Sequence, residues 1–378
     1  MRTVSRRWAG VSAAAIALSS IVVAVPDAGA AAASTPAAMA AAAYARMSTA
    51  ERVGQLFMGA VPATGSTTTA RTILARYHVG NVILVGKSTA GVQATATLVA
   101  PVRRGATYEN VRPFVAADQE GGLVQHLTGP GFSAMPTALH QGTLATTTLR
   151  ADWHRWGGQL RAAGITLDLA PVADVVPASI GTRNQPIGRY YREYGHTTSV
   201  VSPHVVAVVN GMRDAGLAGT VKHFPGLGRA TGNTDTTAGV TDPTTATDAY
   251  LAPFRAAIAA GVPAVMVSTA IYPHIAKGTI AAFSHVIVTG LLRRQLGFTG
   301  VIVSDSLTAR SVSAYSYGTR AIRSLDAGVD ILLVTGNSAI GPMESAIESR
   351  MHTDAAFAAV VKGAVMHVLT AKAQAGLL

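Results

Sequence analysis

"AGTVKHFPGLGRATGNTD" (218–235) opens with a short apolar run, ends it on a lysine and a histidine, and continues into a glycine- and proline-bearing loop that closes on an aspartate. An apolar run of this length bounded by turn residues is the pattern of a buried strand. Polar side chains at the C-terminal end of such a strand are what a barrel of alternating strands and helices uses for chemistry. Working outward, "VGQLFMGAV" (53–61), "GNVILVG" (80–86), "PFVAAD" (113–118) and "ITLDLAPV" (165–172) precede it. "PAVMVSTA" (263–270), "GVIVSDS" (300–306) and "GVDILLVTG" (328–336) follow. Longer segments with helical periodicity separate these runs, among them "SPHVVAVVNGMRDAG" (202–216) and "HVIVTGLLRRQLG" (285–297), and a final helix is expected within residues 339–376. The class is α/β. Eight strands alternating with helices, with no dinucleotide glycine fingerprint after the first, predict a (β/α)8 TIM-like barrel rather than a doubly wound sheet. That barrel occupies residues 47–378 as a single catalytic domain, and little chain is left for a second.

Composition limits the chemistry. The chain has 378 residues, 49% hydrophobic and 13% charged, enough to bury a substantial core. It contains no cysteine, which excludes thiolate metal sites, iron–sulfur clusters, cysteine nucleophiles and disulfides. Residues 1–30 read as a secretory signal peptide: Arg2, Arg6 and Arg7 precede the apolar stretch "WAGVSAAAIALSSIVVAV", and "AGA" ends at Ala30 as a small-residue cleavage site. The alternative is a single membrane anchor, since the stretch nears spanning length. Residues 31–46, rich in Ala, Ser and Thr, read as a short tether. The expected location is therefore outside the cell, in the cell-wall space included.

The formal charge is +11, and Lys87, Lys222, Lys277, Lys362 and Lys372 are the only lysines. No basic run interleaved with aromatics occurs, so nucleic-acid binding is not expected. A scattered arginine surface is compatible with anionic cell-wall polymers, and equally with no particular partner. "GNVILVGKS" (80–88) has five residues between its glycines where a phosphate loop has four, and its apolar centre reads as strand. H-E-x-x-H and G-x-S-x-G are both absent, and the eleven histidines lack ligand spacing. Neither a metal nor an organic cofactor is expected, and the protein is expected to be a monomer.

Polar residues instead gather at strand ends: Asp118 after the third, Asp174 soon after the fourth, Lys222 and His223 on the fifth, Asp305 on the seventh. In a chain with nineteen acidic residues this concentration points to a site.

Six stretches in order, "MSTAERVGQLFM" (47–58), "AADQEGGLVQHL" (116–127), "LDLAPVADV" (167–175), "IGTRN" (180–184), "VKHFPGLG" (221–228) and "GVIVSDSL" (300–307), resemble glycoside hydrolase family 3, specifically its single-barrel β-N-acetylglucosaminidase branch. The resemblance spans roughly residues 47–336. It implies that Asp305 is the nucleophile of a retaining hydrolysis through a covalent glycosyl-enzyme. It implies that Asp118 accepts hydrogen bonds from sugar hydroxyls and that Arg183, Lys222 and His223 are donors around the same ring.

The chain also departs from that branch. The loop after the family's "KHFPGHG" carries an Asp-Ser-His unit whose histidine is the general acid/base; here the aligned residues are Asn233, Thr234 and Asp235, and the second histidine of the motif is Leu227. Leu123 and His126 stand where "DQEGGRVQR" has arginines, and "IGRYYREYG" (187–195) resembles the corresponding stretch of the family's β-glucosidases. Retaining hydrolysis needs a proton donor, and Asp235 can supply it if its loop folds over the pocket and burial raises its pKa. The glycines at 226, 228 and 232 give the loop that freedom. The alternative is that Asp235 caps the loop, leaving slow turnover or simple glycan binding. Of the other carboxylates, Glu120 is expected to support the Asp118 turn and Glu193 to lie on the following helix. The function implied is a secreted exo-glycosidase acting on terminal β-linked N-acetylglucosamine. A β-glucosidase-type hydrolase and a catalytically weak glycan binder are the alternatives.

Overall fold

Eight parallel strands run in chain order: Phe57–Pro62, Asn81–Val85, Phe114–Ala117, Leu167–Asp168, Ala218–Phe224, Ala264–Val267, Val301–Ser304 and Leu332–Val334. They are the first to eighth strands below. The computed structural model that shows them describes residues 1–5, 9–10 and 35–378. Each strand pairs with the next up to the seventh, and the eighth returns to pair with the first, Phe57 lying opposite Leu332. The ring closes where Ser304 N donates to Ile331 O at 2.9 Å, beside a bridge between Val303 and Ile331. The expected (β/α)8 barrel is the fold.

Alternation along each strand explains why the runs look continuously apolar. Met58, Ala60, Ile83, Phe114, Ala116, Leu167, Met266, Val301, Val303 and Leu333 point inward and form one buried cluster. Their neighbours Phe57, Val61, Val82, Leu84, Val115, Val265 and Ile302 point outward under the helices and belong to a second. A parallel strand buried on both faces has no polar positions to alternate with.

Three boundaries differ from the sequence reading. The first strand starts at Phe57 because Ser48 and Glu51 form a capping box that makes Thr49–Gly54 a helix, with Ser48 N donating to Glu51 Oε2 at 2.8 Å. The final helix is two helices, Ile340–Thr353 and Ala355–Gln374, divided at Asp354, whose carboxylate caps the second by accepting from Phe357 N at 3.0 Å. The stretch read as a tether over residues 31–46 is helical from Pro36 to Arg46. Thr35 caps this helix, Pro36 pre-sets its first turn, and fully buried Ala40 and Ala43 lay it against Ala355–Gln374. Alanine-rich composition here serves close helix packing. The signal peptide expected over residues 1–30 falls mainly outside the described residues.

Ala355–Gln374 also closes the N-terminal end of the barrel. Its Val368 and Ala371, with Leu377 beyond it, join the interior cluster. Lys372 is fully buried there and donates to Gln55 Oε1 at 2.6 Å and Gly80 O at 2.8 Å. Burial holds its pKa well below that of an ordinary lysine. With the bottom sealed, the open end lies at the C-terminal ends of the strands.

Candidate active site

A cavity of about 550 Å3 opens at that end, a size suited to a small ligand. Asp118, Lys222, His223, Asp235 and Asp305 all line it. Side chains separated by up to 187 positions in sequence meet because each ends, or closely follows, a strand of the same ring.

One wall is an ion network. Lys222 Nζ lies 2.7 Å from Asp118 Oδ1 and 2.6 Å from Glu120 Oε1. Arg192 grips Glu120 with two bonds, Nε to Oε2 at 2.8 Å and Nη2 to Oε1 at 2.7 Å. Lys222 and Glu120 are each 2% exposed, so neither charge would be stable alone. Burial acts to raise the Glu120 pKa, but Arg192 and Lys222 overcome it and hold the carboxyl well below the ordinary range. Burial likewise opposes the Lys222 charge, and Asp118 and Glu120 outweigh it, so its pKa rises. The network therefore stays ionised. Lys222 fixes Asp118 through one oxygen and leaves the other without a protein partner among the described residues, free to accept from a ligand hydroxyl.

His223 is held differently. Its Nδ1 lies 2.7 Å from Oδ2 of fully buried Asp174, whose Oδ1 accepts from Leu227 N at 2.7 Å. A carboxylate partner makes Nδ1 the donor and leaves Nε2 for the cavity. His126 also lines the cavity; burial depresses its pKa, and its Nδ1 has no partner among the described residues.

The opposite wall carries the two carboxyls. Asp305 follows the seventh strand, its N donating to Val267 O at 2.8 Å and its Oδ1 accepting from Ser306 N at 2.7 Å. Asp235 arrives on the loop after the fifth strand, where Ser311 N donates to Thr234 O at 3.0 Å and Arg310 N to Asp235 O at 3.1 Å. The loop is thereby bound to the segment that follows Asp305. Although Asp235 is exposed as a residue, it lines the same cavity as Asp305, and desolvation there reaches its carboxyl. Burial first, and the Asp305 charge second, raise its pKa, against the pull of His223 and Arg192. Two glycines shape the loop by different means, and Gly226 holds φ at +131°, a conformation that favours glycine. An added Cβ at Gly228 would collide with Val175 O, so this glycine is needed for contact. Asn184 completes the anchor, donating to both Leu227 O and Ala230 O at 2.7 Å.

The model of the glycosyl hydrolase family 3 N-terminal domain matches residues 48–371. The chain belongs to glycosyl hydrolase family 3. This family 3 chain is thus a glycoside hydrolase, and its substrate is a carbohydrate. It is 34% identical over 300 residues to a beta-hexosaminidase of Stenotrophomonas maltophilia, covering 76% of this chain and 85% of that one. Among solved structures, the beta-N-acetylhexosaminidase of Beutenbergia cavernae is 47% identical with a TM-score of 0.85, covering 86% of this chain and 98% of that one. The family 3 beta-N-acetylglucosaminidase of Paenibacillus sp. is 30% identical with a TM-score of 0.79, covering 88% and 63%.

Two expectations for this family 3 hydrolase need correction. Arg183 does not line the cavity; it is exposed and donates to Ser179 O within its own turn. Asn184 is the residue of that turn drawn inward, accepting from Ile187 N at 2.9 Å and Gly188 N at 2.8 Å, so Arg183 faces out. Arg192, not singled out from the sequence, is the arginine at the site. Glu193 lies in the irregular segment before the helix Thr198–Asp214 rather than on it, buried and with a pKa raised mainly by that burial. Asp174, noted only for its position after the fourth strand, orients His223.

Proposed function

We propose that the protein is a secreted, retaining exo-glycosidase that removes terminal β-linked N-acetylglucosamine from carbohydrate chains. The observation that carries this reading is that Asp305 and Asp235 line one wall of the cavity, where burial and the Asp305 charge raise the Asp235 pKa. Asp305 attacks the anomeric carbon while Asp235 gives its proton to the glycosidic oxygen, the bond to the leaving group breaks, and the sugar remains esterified to Asp305. Esterification removes the negative charge beside Asp235, so its pKa falls at the point where it must become a base. It then takes a proton from water, which attacks the same carbon and frees Asp305.

Asp118 would accept from the ring hydroxyls, with Lys222 and His223 beside it. A cavity with a closed floor suits a terminal residue better than an internal one. The acetamido preference is supported by the names of the relatives at 34% and 47% identity. Secretion rests on the arginines, apolar stretch and small-residue cleavage pattern of residues 1–30, and association with anionic wall polymers on the charge of +11. A monomer suffices, since one chain lines the whole cavity.

Aryl β-glycosides of N-acetylglucosamine and glucose test the reading. The native protein should release aryl alcohol from the amino sugar with retention of configuration. Asp305→Ala should abolish turnover, and Asp235→Asn should lower kcat by roughly 10²–10⁴-fold. Azide should rescue Asp235→Ala by replacing the lost carboxylate. Full turnover in Asp305→Ala would remove the nucleophile assignment. Preference for the glucoside would support the β-glucosidase reading, which "IGRYYREYG" favours.

A further inference from the structure

The floor end of the barrel is charged differently from its open end. The helices that follow the first four strands are Thr68–Arg76, Gly91–Gly105, Thr146–Ala162 and Thr198–Asp214, and each returns the chain to the floor. Their last turns carry Arg76, Arg103 with Arg104, Arg161, and Arg213. All five arginines are exposed, and none has a carboxylate within ion-pair reach among the described residues. The four ends adjoin. The Tyr108 hydroxyl lies 3.5 Å from Leu74 O and 3.2 Å from Gly105 O, beside the ends of the first two helices. A Cβ added to Gly164, just past the third helix, would lie 2.9 Å from Val99, one turn before Arg103. Another added to Gly157, one turn before Arg161, would lie 2.8 Å from Ala215, two residues past Arg213. The acids of this region are already engaged, Glu109 by Arg46 at 3.9 Å and Asp214 by Arg150 at 2.6 Å. A cation in the last turn is what a helix dipole favours, but the same rule places acids in the first turn. None of these four helices has one there, so the dipole accounts for only half of the pattern.

We propose that Arg76, Arg103, Arg104, Arg161 and Arg213 form an arc that docks a flexible polymer of phosphodiester-linked units. Neighbouring helices stand about 8–10 Å apart, so the arc offers fixed positive charge over roughly 25–30 Å of the rim. Several weak contacts along one chain add up to firm attachment, which a single small anion cannot obtain. The arc contains arginine and no lysine, and the guanidinium fork matches the oxygens of a phosphate in pairs. Ala355–Gln374 and Pro36–Arg46 cover the floor beside the arc, so a flat anionic surface meets those helices, whereas a flexible chain follows the rim. Attachment at the floor leaves the cavity at the opposite end free for substrate. This deepens the proposed wall association, and rests on it for the place where such a polymer is met.

Calorimetric titration of the full chain with long-chain inorganic polyphosphate tests the arc, over a series of salt concentrations. The native protein should bind, and its affinity should fall steadily as salt rises. Arg103→Gln, Arg104→Gln and Arg161→Gln combined should weaken binding by about tenfold or more and flatten the salt dependence. Thermal midpoint and turnover of the aryl glycoside should not change in that variant. Arg71→Gln, Arg183→Gln and Arg189→Gln combined remove the same charge from exposed positions at the open end, and should bind nearly as the native protein does. Equal losses in the two triple variants would mean that net charge alone acts: the arc falls and wall association stands. No binding of polyphosphate, or equal binding of polyglutamate, would overturn the phosphate polymer as occupant. Tighter binding to vesicles of anionic phospholipid, lost in the arc variant, would assign the face to a membrane instead. Cell fractionation reads export separately, so a failure of the secretion reading leaves the titration result intact.

Discussion

Asp168 is fully buried on the fourth strand, where its Oδ1 accepts from Gln119 N at 3.1 Å and its Oδ2 has no partner among the described residues. Burial raises its pKa well above the ordinary range in spite of Lys222. The fold therefore keeps a proton that the unfolded chain releases above a pH of about 4. Stability from this source is complete below that pH and is lost as pH rises toward the folded value. Asp168→Asn should remove the slope: urea midpoints of the two proteins should be closest near pH 4, with the variant ahead by pH 8. Parallel curves would mean that Asp168 is ionised in the fold. Residues of this kind also show what sequence reading reaches. Lys222, His223 and Asp305 were legible because each ends an apolar run, where a barrel gathers its chemistry. Arg192 was not, because it sits in a stretch without periodicity and its partner Glu120 is 72 residues away. Arg183 looked equivalent in sequence, and only the inward turn of Asn184 separates the two.

The loop after the fifth strand works as a docked element. Its backbone is pinned by Asp174, by Asn184 and by the segment after Asp305, and Tyr272 donates to Gly226 O at 2.9 Å. Gly228→Ala should displace it, because the new methyl group meets the Val175 carbonyl and the backbone must give way. The expected cost is about 1–3 kcal/mol in urea unfolding, with a fall in kcat as Asp235 leaves its position. Unchanged kcat would separate the loop from catalysis. The glycines were visible in the sequence, and Gly226 does use its freedom at φ +131°, but the close approach between Gly228 and Val175 has no local signature. The barrel strands were legible because burial on both faces writes them as apolar runs. Their exact ends were not, since a capping box or a single aspartate at 354 decides where a helix takes over.

At the scale of the molecule, stability depends on closing the ring and sealing its floor. Val368 and Ala371 plug the interior from Ala355–Gln374, and the same helix receives Pro36–Arg46 on its other side. A chain ending at Asp354 would leave both surfaces bare. It should elute as an aggregate or an expanded species in size-exclusion chromatography and lose the cooperative thermal transition in circular dichroism. A cooperative, compact truncated chain would show that the floor is dispensable.

That arrangement sets an order on assembly. The first strand waits for Leu332–Val334, and Pro36–Arg46 waits for the last helix, so the earliest parts of the body to be synthesised find their partners last. Until then the growing sheet has two open edges, each able to recruit another chain. Contacts between the ends of a long chain also form slowly. The ring is a necklace whose clasp is made at the end of synthesis, and any delay there prolongs the period in which the protein is prone to aggregate.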